Sequence, residues 1–315
     1  MISDKNAKEQ EIPMSRIAVP AADAIIGVRR PVLDHGFVTL VDYMGNDDAI
    51  VQAARVSYGA GTKTLRDDKG LIRYLLRHHH TTPFEMVEAK FLAKMPIFVA
   101  RQWVRHRTAS LNEYSERYSL AIKEYYVPPL EAIQAQSTSN RQGREEKGWS
   151  IETKERMRNE IIAHSDASYA LYNGLVERGL ARELARTVLP VNFYTEWYWK
   201  IDLHNLMHFL SLRLDAHAQW EIRQYAVTMA DMTKVIVPVA YEAFEDFALN
   251  SAMLSNKDQA AVAALLRGST VEEACASAGL ELRKADGEQI KSGEGPEFLQ
   301  KLEIIKARLG ATGRI

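Results

Sequence analysis

Between Val87 and Val104 the hydrophobic period of the chain changes from two to about 3.6 residues with no loop in between. Val87, Ala89, Phe91 and Ala93 alternate with Glu88, Lys90 and Lys94, the pattern of a half-exposed strand. Pro96 then stands where a helix can open, because an N–H missing there has no partner to lose, and Ile97, Ala100 and Val104 fall on one apolar face. The strand leads straight into this helix, and the next stretch of sequence stands at the far end of it.

That far end is cationic. Arg101 to Tyr118 holds four arginines, one histidine, two glutamates, two serines and an asparagine, with apolar residues too scattered for a core face. Every cation in the run is Arg, whose rigid fork of donors matches phosphate or carboxylate oxygens two at a time, so the cluster reads as an oxyanion site. A surface helix with internal ion pairs is the alternative reading of the same residues. Arg101 and Arg105 share a helix face beside Gln102, the helix is expected to end near His106 or Arg107, and Thr108 to Ser119 is expected to be a polar loop.

Arg105-His106-Arg107, Ser110, Asn112-Glu113, Ser115 and Arg117-Tyr118 match all nine fixed positions of the RHRxxSxNExSxRY signature, and on these residues the chain resembles the flavin-dependent thymidylate synthases. The resemblance runs from about Gly36 to Asn250. It takes in Met44-Gly45-Asn46-Asp47, Ala54-Arg55-Val56-Ser57, His80-Thr81-Thr82-Pro83-Phe84-Glu85 and His217-Ala218-Gln219-Trp220-Glu221.

Bulk properties narrow the field. The chain has 315 residues, 46% of them hydrophobic, enough for one large core with or without a small appendage. Forty basic residues against forty-one acidic ones argue against attachment to nucleic acid or membrane by bulk charge. There is no apolar run near the ~20 residues of a bilayer span and no signal-peptide core, so a cytoplasmic protein is expected. Cys275 is the only cysteine and lies in the C-terminal tail, which rules out an intramolecular disulfide and a thiolate metal cluster. A uracil-methylating enzyme built on this chain has no candidate thiolate in its core.

Along the chain, residues 1–35 read as a flexible leader, 36–250 as the catalytic core and 251–315 as a helical extension. Phe37 to Tyr43 alternates as a strand ending at Gly45, and Asp48 to Ser57 reads as a short helix. Gly59 to Thr64 lacks the spacing of a phosphate-binding loop. A helix through Leu71, Ile72, Leu75 and Leu76 runs into His78-His79-His80, whose adjacent side chains point apart and so do not form a metal triad. Tyr125 to Val127 suggests a strand, Glu131 to Gly148 a surface excursion, and Ser150 to Arg178 a long helix stopped by Gly179. Arg182 and Arg186 share a face of a short helix ended by Pro190, Arg182 reading as a solvated or ion-paired residue. The aromatics from Phe193 to Trp199 suit core or subunit interface better than a stacking platform. His204 and His208 stand one turn apart, but Asn205 replaces the glutamate of a zinc motif, so no metal is assigned. Gln219 to Ala248 is helical with a break at Pro238. In the tail, Ala260 to Leu266 and Val271 to Ala278 form two short helices; Glu272 and Glu273 on the second would repel a phosphate backbone, which argues against a nucleic-acid partner.

These patterns give an α+β fold, a mixed or antiparallel sheet flanked by helices, with a small helical C-terminal extension. The resemblance implies a homotetrameric methyltransferase with active sites shared between subunits. By it, FAD, NADPH and 5,10-methylenetetrahydrofolate serve in the conversion of dUMP to dTMP. It assigns dUMP to Arg101, Gln102, Trp103, Val104, Arg105, Glu113, Tyr114, Ser115, Glu116, Arg117, Arg186 and Arg213. Arg213 is the catalytic residue that helps ionise the pyrimidine, and Ser115 is a ligand and not a nucleophile, since no base is recognisable beside it. It assigns FAD to Ser57, His80, Thr82, Arg105, His106, Arg107, Glu113, Asp202, His204 and His208, the last three standing where some relatives carry Asn and Arg. Two other classes stay open from the residues alone: a non-catalytic nucleotide or nucleic-acid binder, and a His-dependent metalloenzyme.

Overall fold

The computed structural model describes residues 17–56, 68–115, 119–137 and 143–311. The chain begins with α1 (Pro20–Asp23), β1 (Arg29–Val32), β2 (Gly36–Met44), α2 (Asp47–Val56), α3 (Asp68–Arg77) and α4 (Thr82–Glu85). It continues through β3 (Glu88–Pro96), α5 (Ile97–Trp103), β4 (Ser110–Glu113), β5 (Ala135–Gln136), β6 (Arg144–Glu145), α6 (Ile151–Glu177) and α7 (Arg182–Ala185). Then come β7 (Tyr194–Asp202), α8 (Leu203–Arg213), α9 (Trp220–Ile236), α10 (Pro238–Phe244), α11 (Asn256–Leu266), α12 (Val271–Ser277) and α13 (Glu294–Ala311). No helix among the described residues is long and apolar enough to cross a membrane.

The chain divides into two compact units, Met1–Ala135 with Glu146–Leu249, and Gln136–Glu145 with Asn250–Ile315. In the first, five strands pair antiparallel throughout in the order β1-β2-β3-β7-β4, the α+β arrangement expected. The expected alternation of β3 holds along its length, with Ala89, Phe91, Ala93 and Met95 buried. In the second unit, α11 and α12 pack around Ala261, Ala274, Cys275, Leu280 and Phe298. Ser255 and Thr270 each close a capping box, so Glu273 is spent on the Thr270 N–H. The third helix of this unit, α13, has no counterpart among the expected elements. The expected surface excursion contributes Gln136–Glu145 to this second unit.

Several sequence expectations are corrected. The leader does not reach residue 35, because β1 pairs with β2 from Arg29↔Thr39 to Val32↔Gly36 and Ala22 and Val32 are buried. Pro31 on an edge strand, where no ladder N–H is needed, hid this strand from pattern reading. Tyr125 to Val127 forms no strand, only an isolated bridge between Tyr125 and Phe193. The polar segment after α5 is not all loop: Ser110–Glu113 pairs with β7 as an edge strand, and its four exposed residues give no alternation to detect. The helix of the arginine run ends at Trp103, earlier than His106, and Pro96 is its N-cap residue. Ser57 and Gly59 to Thr64 lie outside the described residues, as do Glu116 and Arg117.

The pairing of β3 with β7 spans nine residues, from Glu88↔Asp202 to Pro96↔Tyr194. Helix α5 leaves one end of this pair and α8 leaves the other, and both run back over the same sheet face. Trp103 of α5 meets Trp197 and Trp199 of β7 at ring-centroid distances of 5.5 and 5.3 Å, and stacks on Phe209 of α8 at 5.2 Å. A nine-residue strand is about 30 Å long. The seven residues of α5 and the eleven of α8 climb roughly 10 and 16 Å at helical rise, and the turn from Val104 to His106 carries the chain on to Arg213. The two therefore meet end to end.

At the start of β2, Gly36 leaves no room for a side chain. A Cβ there would lie 2.1 Å from the Tyr225 hydroxyl, 2.6 Å from the Val32 carbonyl and 2.8 Å from that of Lys94. Tyr225 Oη donates to the Lys94 carbonyl at 2.8 Å, tying α9 to β3. Gly36→Ala is expected to destabilise the first unit by about 1–3 kcal/mol, read as a lower denaturant midpoint at unchanged slope; an unshifted midpoint would refute the packing described.

Candidate active site

The C-terminal ends of α5 and α8 converge on His106 and Arg213. His106 lies one turn beyond α5, its N–H bonded to the Trp103 carbonyl at 3.0 Å, and Arg213 is the last residue of α8. Arg213 Nε donates to His106 Nε2 at 3.1 Å, so that ring nitrogen must carry no proton. Burial, then the Arg213 charge, then His208 push the His106 imidazole down to about 4. It is therefore a neutral acceptor near neutral pH. Burial lowers Arg213 from its ordinary value, but an arginine stays charged. Helix ends of negative polarity favour cations here, which gives a structural reason for basic residues in both segments.

Around this pair is a cleft of ≈ 280 Å³. Arg105, Arg107 and His208 stand on its polar side with His106 and Arg213, and Ile201 and Leu212 give it apolar wall. Thr108 and Asn205 complete it; neither these two nor the apolar pair figured among the expected site residues. Asn205 sits between His204 and His208 on α8, so helical spacing from His208 was the signal available. No carboxylate among the described residues pairs with Arg101, Arg105, Arg107 or Arg186. The ion-paired surface helix is thus not what Arg101, Arg105 and Arg107 form among the described residues.

Other expected site residues are placed less simply. Trp103 is wholly buried among aromatic rings, so its side chain belongs to the core and only its backbone is left for a ligand. Asp202 caps α8, accepting from Asn205 N at 2.9 Å and Asn205 Nδ2 at 2.7 Å. Glu113 accepts from Thr195 Oγ1 at 2.6 Å, and Tyr114 N bonds to the Glu196 carbonyl at 2.8 Å, so β7 holds the segment leading to Ser115. Gln102 Nε2 donates to Gln219 Oε1. His80 and Thr82 are exposed at the start of α4, which packs on α8. Val104 is exposed, and His204 lies on α8 outside the cleft lining. Arg186 opens a 3₁₀ turn after α7, in a segment packed on α6, and within one chain it does not join the cleft. No cluster of three or more His, Cys, Asp or Glu among the described residues is arranged to hold a metal.

A larger cavity, ≈ 740 Å³, lies in the second unit. Glu272 and Glu281 share its walls with Arg283 and Lys291, so it has no charge preference and none of the signature residues. Size alone does not make it the site. The small cleft holds the unpaired cations, and that donor set with its apolar wall fits a bound group that is both anionic and flat.

The His106 geometry has a pH signature. Protonation is disfavoured in the native state, so the stability contributed by this group is complete above the ordinary 6.5 and declines as pH falls from there to about 4. In an NMR titration the His106 ring should titrate near 4, and Arg213→Gln should move it part of the way up, burial remaining. A wild-type value near 6.5 would contradict the Arg213–His106 bond.

Comparison with known proteins gives consistent matches. The family model described as Thymidylate synthase complementing protein matches residues 39–239. A protein of Wolbachia pipientis wMel named flavin-dependent thymidylate synthase is 54% identical over 256 residues, covering 81% of this chain and 90% of the relative. One of the same name from Gluconobacter oxydans is 52% identical over 262 residues, covering 82% and 86%. The crystal structure of the UMP/dUMP methylase PolB from Streptomyces cacaoi bound with 5-Br dUMP superposes with a TM-score of 0.62 at 35% identity, covering 70% of this chain and 99% of that one.

Proposed function

The chain belongs to the flavin-dependent thymidylate synthase family, and on that premise we propose that it converts dUMP to dTMP with FAD, NADPH and 5,10-methylenetetrahydrofolate. In the net change the uracil C5–H bond is replaced by C5–CH₃: the methylene carbon leaves the folate, the C5 proton is released and a hydride completes the methyl group. FAD, once bound and reduced by NADPH, supplies that hydride.

The observation that carries the reading is the cleft itself, where unpaired Arg105 and Arg107 flank an Arg213 held in place by a neutral histidine. Arg213 spends its Nε on His106 and keeps its terminal nitrogens for a ligand, so it stabilises negative charge developing on the uracil ring without reorganising. Arg105 and Arg107 hold phosphate or flavin oxygens by charge-assisted bonds. Arg101, Gln102, Ser115, Arg117 and Arg186 bind the nucleotide phosphate and sugar, and His80, Thr82, His208 and the backbone about Glu113 bind the flavin.

Cys275 supports a route without a thiolate. It is the sole cysteine, it is buried in the core of the second unit, and burial pushes its thiol up. Such a group is a poor nucleophile.

The protein acts as a cytoplasmic homotetramer with sites shared between subunits. Leu120, Ile122, Leu184 and Val191 are all more than half exposed on segments that flank Ser115 and Arg186, and exposed apolar groups of this kind mark contact surfaces. Arg186 then reaches a cleft from a neighbouring copy.

The test is dTMP formation from dUMP, methylenetetrahydrofolate and NADPH, with FAD supplied or stripped. Product should require both FAD and NADPH, and none under oxygen-free conditions with FAD bound would overturn the reading. Arg213→Ala should lower kcat by about 10²-fold or more with flavin retained, while Cys275→Ala should leave turnover within about twofold, because no thiolate takes part in the proposed route. Loss of turnover in Ser115→Ala at unchanged dUMP affinity would remove Ser115 from the ligands. Light scattering should return the mass of four chains.

A further inference from the structure

Glu221 is a carboxylate in the first turn of α9 with only 2% of its surface exposed. It accepts a hydrogen bond from Tyr126 Oη at 3.1 Å through Oε1 and from Gln219 Nε2 at 2.9 Å through Oε2. Gln219 in turn accepts from Gln102 Nε2 through its Oε1. Gln102 stands on α5 between Arg101 and the turn that carries Arg105.

A side-chain amide has a donor end and an acceptor end that cannot be exchanged without rotating the group. Because Glu221 offers acceptors, Gln219 must turn its NH₂ toward it and its carbonyl toward Gln102. Gln102 must answer with its own NH₂. Its carbonyl oxygen is then the end left over, and among the described residues it has no partner and is not sealed from solvent. Two amides act as a relay, and the buried acid at its root sets the direction of both. Without that acid the relay could run either way, since two paired amides are equally satisfied in reverse.

We propose that Glu221 is a positioning residue which, through Gln219, fixes Gln102 to present a hydrogen-bond acceptor to the nucleotide. The group recognised there is a donor, either a sugar hydroxyl or a ring N–H of dUMP. The inference rests on the assignment of Gln102 to the dUMP site, and the experiment separates the two. Glu221 touches no substrate and acts only by holding the polarity of a residue that does.

A double-mutant cycle on the FAD-loaded protein reads this directly, with dUMP affinity measured calorimetrically in wild type, Glu221→Gln, Gln102→Ala and the double variant. Glu221→Gln keeps the side-chain volume but supplies a donor, so the relay loses its direction. It should weaken dUMP binding about tenfold in the wild-type background and less than twofold where Gln102 is already alanine, because residues acting through one contact are not additive. Equal weakening in both backgrounds would show that Glu221 acts through general stability, and no weakening in the first would show that it sets nothing; either overturns the relay. If Gln102→Ala binds dUMP as wild type does, the assignment of Gln102 itself fails. Gln219→Met breaks the chain at a half-buried position and should reproduce the Glu221→Gln pattern even if the buried substitution impairs folding.

Discussion

The antiparallel pairing of β3 with β7 is the constraint from which the cleft follows. It sets where α5 and α8 begin, at opposite ends of a nine-residue ladder. Because both helices cover the same face, their combined length must fit the length of the strands. Trp103 is the wedge that keeps them there: it touches Trp197, Trp199, Phe209 and Tyr225, and so links two strand residues and two helices through one ring. Losing a buried aromatic at this point costs about 3–5 kcal/mol, and the loss would also move the helix end that carries Arg105 and His106. Packing and site geometry are the same problem in this fold.

Meeting end to end brings two helix C-termini into one place, and with them two negative dipole ends. The chain answers with arginines and a histidine. Arg213 and His106 settle against each other because one is a donor and the other is kept neutral, with burial as the main cause. Arg105 and Arg107 have no such partner. Both stand exposed beside a partly apolar cleft, with their donors open to an anion. That is the physical content of the site, and it stands apart from any likeness to other proteins.

Carboxylates, by contrast, are placed as organisers. Asp202 caps α8, Glu113 bonds Thr195 across β4 and β7, and Glu221 lies buried behind Gln219. None of the three belongs to the lining of the cationic cleft. Asp202 holds α8, from which Asn205, His208, Leu212 and Arg213 line it. The cations line the cleft, and the carboxylates hold the elements around it.

The sequence by itself determined the elements whose side chains alternate or repeat. The half-exposed β3, the long α6 with Ser150 as its cap, and the breaks at Gly45 and Gly179 are written in period and punctuation, because burial on one face forces a pattern onto the chain. The all-arginine run read as an oxyanion site from residue type alone, and the reaction came from the resemblance carried by its nine matched positions. Short edge elements left no such trace: β1 carries a proline, and the residues of β4 are all exposed, so nothing in either is periodic. Only the tertiary structure decided that Trp103 belongs to the core, that Asp202 is a cap, and that His106 and Arg213 are neighbours although 107 positions separate them. Those facts depend on which strands pair and how far two helices climb. A sequence pattern records the environment each residue needs, whereas a contact between distant residues exists only once the sheet has set their distance.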